Sequence, residues 1–382
     1  MMKLKLLHAA DLHLDSPFSG LDSRTAELRR NELRDAFSSM MNYARRADTD
    51  LILLAGDLFD GERVTRDTVK LLAKEFEDYG KPIFITPGNH DPASPGSVWR
   101  RVTFPENVHV FTDPTVEAVD LMDDNGEDTG VTVYGFAFSG PDLDTVPFDG
   151  LSADDPERIN LLVCHGDMSS PTSSDCPVTA EQILSFGADY TALGHLHNPP
   201  APGPDCRWSY PGCLEPRGFD ERGPKGAVTA EIEKTAGEPS KVTLHRIRFS
   251  KRRYETAEVD VSAAETASDV REILRDFLRA SAREKGWGED TLARIRLTGC
   301  LPPSLVLDTD ALSSVGDRLF SLLLEDETRP DADPEALSRD PGIRGEVWRQ
   351  LSPGLQSGDP REREVALRAL RYALCAIAGD TV

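Results

Sequence analysis

Apolar residues in the first half of the chain fall in short runs, each ending in a polar loop. Residues 4–14 (LKLLHAADLHL), 51–57 (LILLAGD) and 82–91 (PIFITPGNHD) read as strands buried on both faces. Between the first two, residues 24–47 put Leu28, Leu33, Phe37, Met40, Met41, Tyr43 and Ala44 at helical spacing, and 65–79 is a second helical stretch. That rhythm predicts parallel strands joined by crossover helices. VHVF (108–111), VTVYGFAF (131–138), INLLVCHG (159–166), DYTALGHLH (189–197), AVTAEIE (227–233) and KVTLHRIRF (241–249) follow with few helices. The expected fold is α/β, with a mixed sheet or two packed sheets. Polar loops would sit at strand C-terminal ends, where open α/β sheets bind ligands.

The pattern changes after residue 250. SKRRYETAEVDVS (250–262) reads as a linker, 268–286 as a helix, 293–299 as a strand and 310–326 as a helix. Residues 328–360, rich in Pro, Asp, Gly and Ser, read as an irregular connector. REREVALRALRYALCAIAG (361–379) places apolar residues at 367, 370, 374 and 377; such a helix either docks on its own protein or offers a face to a partner. The expected domains are a catalytic domain at 1–250, a small α+β domain at 251–327, and a connector with a C-terminal helix at 328–382.

A chain of 382 residues, 39% hydrophobic, suits one large domain with smaller additions. The net charge of −23 argues against a nucleic-acid binder, because phosphate attracts Lys and Arg. Residues 251–382 carry 19 Lys/Arg against 25 Asp/Glu, a balance of −6, which leaves −17 on residues 1–250. The six cysteines include no Cys-x-x-Cys pair, so free thiols in a reducing compartment are expected. The N-terminus lacks the apolar core of a signal peptide, and no run approaches the ~18 apolar residues of a membrane span. A soluble, cytoplasmic protein is expected.

Five motifs end apolar runs: Asp11-Leu12-His13, Gly56-Asp57-Leu58-Phe59-Asp60, Gly88-Asn89-His90-Asp91, Cys164-His165-Gly166-Asp167 and Gly194-His195-Leu196-His197. They hold five of the eight histidines; His8, His109 and His245 read as structural. Carboxylate, imidazole and amide oxygen together suit Mn²⁺, Fe²⁺ or Zn²⁺ better than Ca²⁺. Two such ions about 3.5–4 Å apart share a carboxylate and clamp the oxygens of an in-line displacement. Each motif alone is weak; all five in order after strands are not.

This set resembles the calcineurin-like metallophosphoesterase superfamily, and Asp-Leu-His-Leu-Asp (11–15) with Gly-Asp-Leu-Phe-Asp (56–60) resembles its DNA-repair exonuclease branch, the SbcD family and YhaO-type relatives. Tyr210–Gly226 adds to this, since that branch has a similar Gly-Ser-Leu…Glu…Lys-Gly stretch; here Cys213 stands for Ser, a change expected to lie away from the ligands. The resemblance implies a metallophosphoesterase-type mixed β-sandwich flanked by helices, plus a small α+β capping domain and a C-terminal helix. It implies two divalent ions, Mn²⁺ first, with Fe²⁺, Zn²⁺ or Mg²⁺ as alternatives. Asp11, His13 and His197 would hold one, Asn89, His165 and His195 the other, with Asp57 bridging. His90 would touch the scissile phosphate, oriented by Asp60 or by Asp91, although both also fit plain loop capping. Asp15 and Asp167 would support ligands or cap turns.

The leading expectation is a two-metal phosphodiesterase: a DNA exonuclease or endonuclease of SbcD type in DNA repair, working by in-line attack of a metal-bridging hydroxide. Its partners would be DNA and an SbcC-like coiled-coil ATPase docked on the C-terminal helix, with a homodimer also compatible and no membrane. Arg246, Arg248, Lys251, Arg252 and Arg253 form a dense basic patch, either a solvated linker or, through Arg246 and Arg248, a DNA contact. A cyclic-nucleotide or other small-molecule or phosphoprotein phosphoesterase fits the acidity better. A non-catalytic scaffold is the third reading.

Overall fold

The apolar runs form strands in a computed structural model that describes residues 1–61, 63–123, 125–302 and 305–378. Two units result, Met1–Lys251 and Arg252–Val382. The first contains β1 (Met2–Ala9), α1 (Ser23–Arg46), β2 (Leu51–Ala55), α2 (Arg66–Tyr79), β3 (Ile83–Thr86), α3 (Val98–Arg101), β4 (Val108–Val110) and β5 (Glu117–Met122). It continues with β6 (Asp128–Gly135), β7 (Ile159–His165), α4 (Ala180–Phe186), β8 (Tyr190–Gly194), β9 (Trp208–Ser209), β10 (Gly226–Lys234) and β11 (Lys241–Arg248).

These strands make two sheets, ordered β11-β10-β1-β2-β3-β4 and β5-β6-β7-β8-β9. The inner runs β1 to β4 and β6 to β9 are parallel, while β10, β11 and β5 pair antiparallel. Leu4, Leu6, Leu51 and Leu53 of one sheet pack on Val131, Val133, Leu161 and Val163 of the other, so the fold is a mixed β-sandwich. Each such side chain contributes about 1.5–3 kcal/mol on burial.

On the other face of the first sheet, α1 buries Leu33, Phe37, Met40 and Met41. Asp22 caps α1 by accepting from the N–H groups of Arg24 and Thr25, and Thr65 caps α2. Leu28, expected on the apolar stripe, is exposed. α4 covers the second sheet, packing Ile183 and Phe186 with Tyr134 and Leu162.

The second unit contains β12 (Arg253–Asp260), α5 (Ala267–Lys285), β13 (Thr291–Thr298), β14 (Cys300–Leu301), α6 (Thr309–Ser313), β15 (Ser321–Asp326), β16 (Arg329–Pro330), α7 (Pro334–Arg339), α8 (Ile343–Leu355) and α9 (Pro360–Ala378). It corrects three expectations. The supposed linker at 250–262 is largely β12, paired over its whole length with β13 while Ala257, Val259 and Val261 face the core. The helix expected at 310–326 ends early, and Ser321–Asp326 forms β15 on β13, because a short leucine run fits strand and helix alike. The connector expected at 328–360 holds α7 and α8. Its prolines misled because Pro334 opens α7, where a missing N–H costs nothing, and Pro353 lies near the end of α8.

α9 packs Leu370 and Leu374 with Leu337 of α7, against Trp348 and Leu351 of α8. Arg371 fastens it by donating to Asp326 (2.9 Å) and the Thr328 carbonyl (2.8 Å). That face of the helix therefore docks within its own unit. Among the described residues, no helix is long and apolar enough to cross a membrane.

Candidate metal centre

Strands β1, β2, β3, β7 and β8 end on one edge of the sandwich, and the loop after each carries one motif. The loops are laced by backbone bonds: Asp11 N–H donates to the Gly56 carbonyl (3.1 Å) and His13 N–H to the Asp57 carbonyl (3.0 Å). The His195 N–H donates to Asp11 Oδ1 (3.0 Å), joining the two sheets at the site. Asp11 (φ 53°), His13 (φ 43°), Asp57 (φ 52°) and His195 (φ 109°) all occupy positive-φ backbone, a costly conformation that collects at functional sites. Two glycines make room: a Cβ on Gly88 would lie 2.2 Å from Asp57 Oδ1, and one on Gly194 would lie 1.7 Å from the Ala55 carbonyl oxygen.

Asp11, His13, Asp57 and His197 form one donor cluster, with one ligand atom from each within 4.8 Å of the others. His13 Nε2 lies 3.0 Å from His197 Nε2 and 3.7 Å from Asp57 Oδ2, and His197 Nε2 lies 3.9 Å from Asp11 Oδ1. The same Asp57 oxygen lies 3.5 Å from His165 Nε2, which is 2.9 Å from Asn89 Oδ1. The His195 ring stands edge-on to His165, centroids 5.3 Å apart, but its Nε2 faces Asp167 (3.9 Å) and Asp175 (4.0 Å).

The outward ring nitrogens decide the tautomers. His197 Nδ1 meets Glu221 Oε1 at 2.8 Å, His13 Nδ1 meets Asp60 Oδ1 at 3.0 Å, and His165 Nδ1 meets the Ala55 carbonyl at 3.0 Å. Arg217 Nη2, 3.4 Å from His197 Nδ1, favours the other tautomer of that ring, while a proton on each Nδ1 would satisfy those oxygens and leave each Nε2 as a bare lone pair. Two lone pairs then face each other in His13–His197, and a nitrogen lone pair faces an amide oxygen in His165–Asn89. Buried acceptors this close repel unless a cation sits between them, and imidazole, carboxylate and amide oxygen suit a divalent ion. The residues fit two cations, with Asp57 between the two groups.

The electrostatics agree at His13 and His195 and run the other way at His197. Burial lowers the affinity of His13 for a proton and prevails over Asp60 and Asp57. Burial likewise lowers His195, with His165 adding to it. At His197 burial also lowers, but Glu221 and Asp11 outweigh it and the net shift is upward. Burial would raise Asp57, yet His165, His13 and His90 hold it below the usual carboxylate range.

Other expected residues fall differently. His90 is exposed, edge-on to His13 with ring centroids 4.9 Å apart, and its backbone N–H donates to Asp57 Oδ1 (3.0 Å). Asp60, expected to orient His90, lies in one group with His90 and His13 whose ligand atoms fall within 4.8 Å of one another; it meets His13 Nδ1 (3.0 Å) and accepts from Arg217 Nη1 (2.5 Å). Asp91 is a loop clamp: each of its oxygens accepts two backbone N–H groups, from Gly88 and Asp57 and from Leu58 and Phe59. Asp15 holds the start of α2 through the Thr65 N–H (2.7 Å), Thr68 Oγ1 (2.7 Å) and Arg34 (2.8 Å). Asp167 accepts from Ser169 in a tight turn.

The basic patch is largely committed within the fold. Arg246 donates to the carbonyls of Tyr210 (2.8 Å) and Pro211 (3.0 Å), and Arg248 to that of Ser250 (3.3 Å). Lys251 pairs with Asp35; in the second unit, Arg252 lies over the Phe320 ring (3.6 Å) and Arg253 pairs with Glu255. Sequence reasoning missed Arg217 and Glu221. Both lie in the Tyr210–Gly226 stretch, whose resemblance to the SbcD branch was the available signal. Cys213, expected to lie away from the ligands, has its Sγ 3.5 Å from Oε2 of Glu221, the carboxylate that meets His197 Nδ1.

The calcineurin-like phosphoesterase model matches residues 4–199, which carry all five motifs. The metallophosphoesterase YhaO of Bacillus subtilis is 30% identical over 339 residues, 86% of this chain and 79% of that protein. The DNA double-strand break repair protein Mre11 of Haloferax volcanii is 29% identical over 72% of this chain and 58% of its own length. The SbcD component of the SbcCD nuclease of Staphylococcus epidermidis is 25% identical over 51% of this chain and 57% of its own. On the extent of these matches and the donor groups they cover, the chain belongs to the calcineurin-like phosphoesterase family, on the side of it that includes the SbcD and YhaO proteins.

Proposed function

We propose that this phosphoesterase is a two-metal phosphodiesterase acting on DNA, an exonuclease or endonuclease of SbcD type in DNA repair. The observation that carries the metal reading is the donor cluster of Asp11, His13, Asp57 and His197, with His165 Nε2 near Asp57 (3.5 Å) and Asn89 (2.9 Å). Asp11, His13 and His197 would hold one ion, Asn89, His165 and His195 the other, and Asp57 both. Mn²⁺ is the first choice. When bound, two such ions supply an acidified water and neutralise phosphate oxygens.

The chain's own residues then have distinct tasks. His90 is exposed beside His13, where its ring can donate a proton or hydrogen bond to the phosphate or the leaving oxygen. Asp91 fixes the Asp57 and Asn89 loops to each other. Asp60 acts on His13, so its contribution is orientation of a ligand. DNA as substrate and an SbcC-like coiled-coil ATPase as partner are supported by the Mre11 and SbcD relatives; a cytoplasmic location and a capping role for the second unit belong to the same proposal. With −17 on residues 1–250 and Arg246 tied to its own loop, much of the DNA-attracting surface would come from that partner.

Those same two observations favour a small phosphodiester as the second reading. The discriminating experiment is Mn²⁺-dependent hydrolysis of linear duplex DNA, single-stranded DNA, bis-p-nitrophenyl phosphate and cyclic AMP, each with His90→Ala as control. Hydrolysis of both DNA and bis-p-nitrophenyl phosphate, lost in the variant, is expected. Cleavage of cyclic AMP with DNA left intact would replace the DNA reading by the second.

A further inference from the structure

We propose that Arg217 is a positioning residue that sets the His13–His197 pair, and with it one of the two cation sites. The inference rests on the two-metal reading above. The Arg217 guanidinium spans the outer side of both imidazoles. Its Nη1 donates to Asp60 Oδ1 (2.5 Å), and Asp60 Oδ1 lies 3.0 Å from His13 Nδ1. Its Nη2 donates to Glu221 Oε1 (2.8 Å), which lies 2.8 Å from His197 Nδ1. The Arg217 backbone N–H also donates to Glu221 Oε2 (2.6 Å), so the carboxylate is gripped at both oxygens.

The consequence is electrostatic as well as geometric. Asp60 and Glu221 flank a centre that already contains Asp11 and Asp57. Without the guanidinium, two further carboxylates would share a partly buried space with no cation between them. They would turn away from each other, and a displaced carboxylate no longer holds an imidazole Nδ1–H. Each ring could then change tautomer and present N–H, not a lone pair, to the ion. Lysine cannot substitute fully, because one ammonium lacks the planar fork that reaches two carboxylates at once.

The rest of the segment works on the same loop. Lys225 Nζ donates to the His197 carbonyl (2.8 Å) and to Asn198 Oδ1 (2.7 Å). Arg217, Glu221 and Lys225, spaced four apart in a non-helical stretch, thus all fasten the loop that bears His197. Arg217 also borders a cavity of about 250 Å³ with Ser16, Phe18 and Asp220, so direct contact with substrate phosphate is the rival role. Its pairing with Asp60 and Glu221 weighs against that role.

The test is calorimetric titration of Mn²⁺ into the metal-stripped full chain, for wild type, Arg217→Met, Arg217→Lys and Glu221→Gln, with Mn–Mn spin coupling followed by paramagnetic resonance. Expected are two ions in wild type and, in Arg217→Met, one ion bound about 10–100-fold more weakly while the other keeps its affinity, with the coupling lost. Arg217→Lys should recover only part of the loss. If Arg217→Met fails to fold, Glu221→Gln and Arg217→Lys carry the same comparison. Two ions bound with wild-type affinity in every variant, with at most a raised KM, would overturn the positioning role and leave the two-metal reading intact. Fewer than two ions in wild type would overturn that reading itself.

Discussion

Acid should loosen the sandwich through His8, a histidine the fold keeps neutral. His8 lies in β1, fully buried, with Nδ1 2.8 Å from Tyr190 Oη in β8; Tyr190 Oη lies 2.6 Å from Ser209 Oγ in β9. The chain of three polar groups crosses between the sheets beneath the metal centre. Burial, with Arg246 adding to it and the Leu193 backbone working against it, pushes the His8 pKa from 6.5 down to about 3. The folded value is the lower one, so the unfolded chain takes up the proton first as pH falls. The stability His8 contributes is complete above 6.5 and is lost progressively down to about 3. At pH 5 the unfolded state is favoured by about 1.5 pH units of binding, or roughly 2 kcal/mol. The assay is urea unfolding at pH 7.5 and 5.0, in chelator, of wild type and His8→Gln, which keeps a polar group near Tyr190. His13, His195 and His197 titrate in both proteins, so the difference between the two losses isolates His8. The stability gap should narrow by about 2 kcal/mol at pH 5. Equal losses in both proteins would refute the reasoning.

Three further outcomes follow from the same contacts. Stripping divalent ions should lower Tm, and Mn²⁺ at a hundred times Kd should restore about 2.7 kcal/mol for one site, roughly 5–10 °C, by scanning calorimetry; an unchanged Tm would contradict the cation reading of the paired acceptors. Asp91→Asn replaces an oxygen that accepts two backbone N–H groups by an amide NH₂, so urea unfolding should show a loss of about 1–3 kcal/mol, with slower bis-p-nitrophenyl phosphate hydrolysis. Wild-type stability in that variant would remove Asp91 as the loop clamp. Cys213→Ser puts a stronger donor beside Glu221 and should leave Mn²⁺ affinity equal or higher in calorimetric titration; a tenfold loss would mean that the thiol's size, not its hydrogen bond, supports Glu221.

The parts of the site legible in the sequence were those fixed by a strand. An apolar run of β-formers that stops at Asp, His or Asn announces both the element and the polar group at its end, so the positions of Asp11, Asp57, Asn89 and His165 followed from local pattern. The partners of those groups did not. Asp60, three residues past Asp57, meets His13 and is held by Arg217, which lies 157 residues away in sequence. Arg246 alternates with Arg248 along β11 as a surface cation would, yet pairing with β10 sets it beside the carbonyls of Tyr210 and Pro211. Outside the site, the leucines of β15 and the prolines around α7 and α8 carry signals that two structures share, and tertiary pairing decided between them.

The site's residues are individually unfavourable for folding, and the architecture explains why they persist. Four of them sit at positive φ, at a cost on the order of 1–3 kcal/mol each. The paired lone pairs and clustered carboxylates add repulsion that no contact within the cluster relieves. What opposes this lies outside the cluster: the apolar contact between the two sheets, the loop clamp at Asp91, and the carboxylates and guanidinium beside the outward nitrogens of His13 and His197. A divalent ion removes the repulsion without moving a strand. Binding is then favoured because the fold has already met the cost of arranging the ligands, and the metal-free protein should be the less stable form of the same structure rather than an unfolded one.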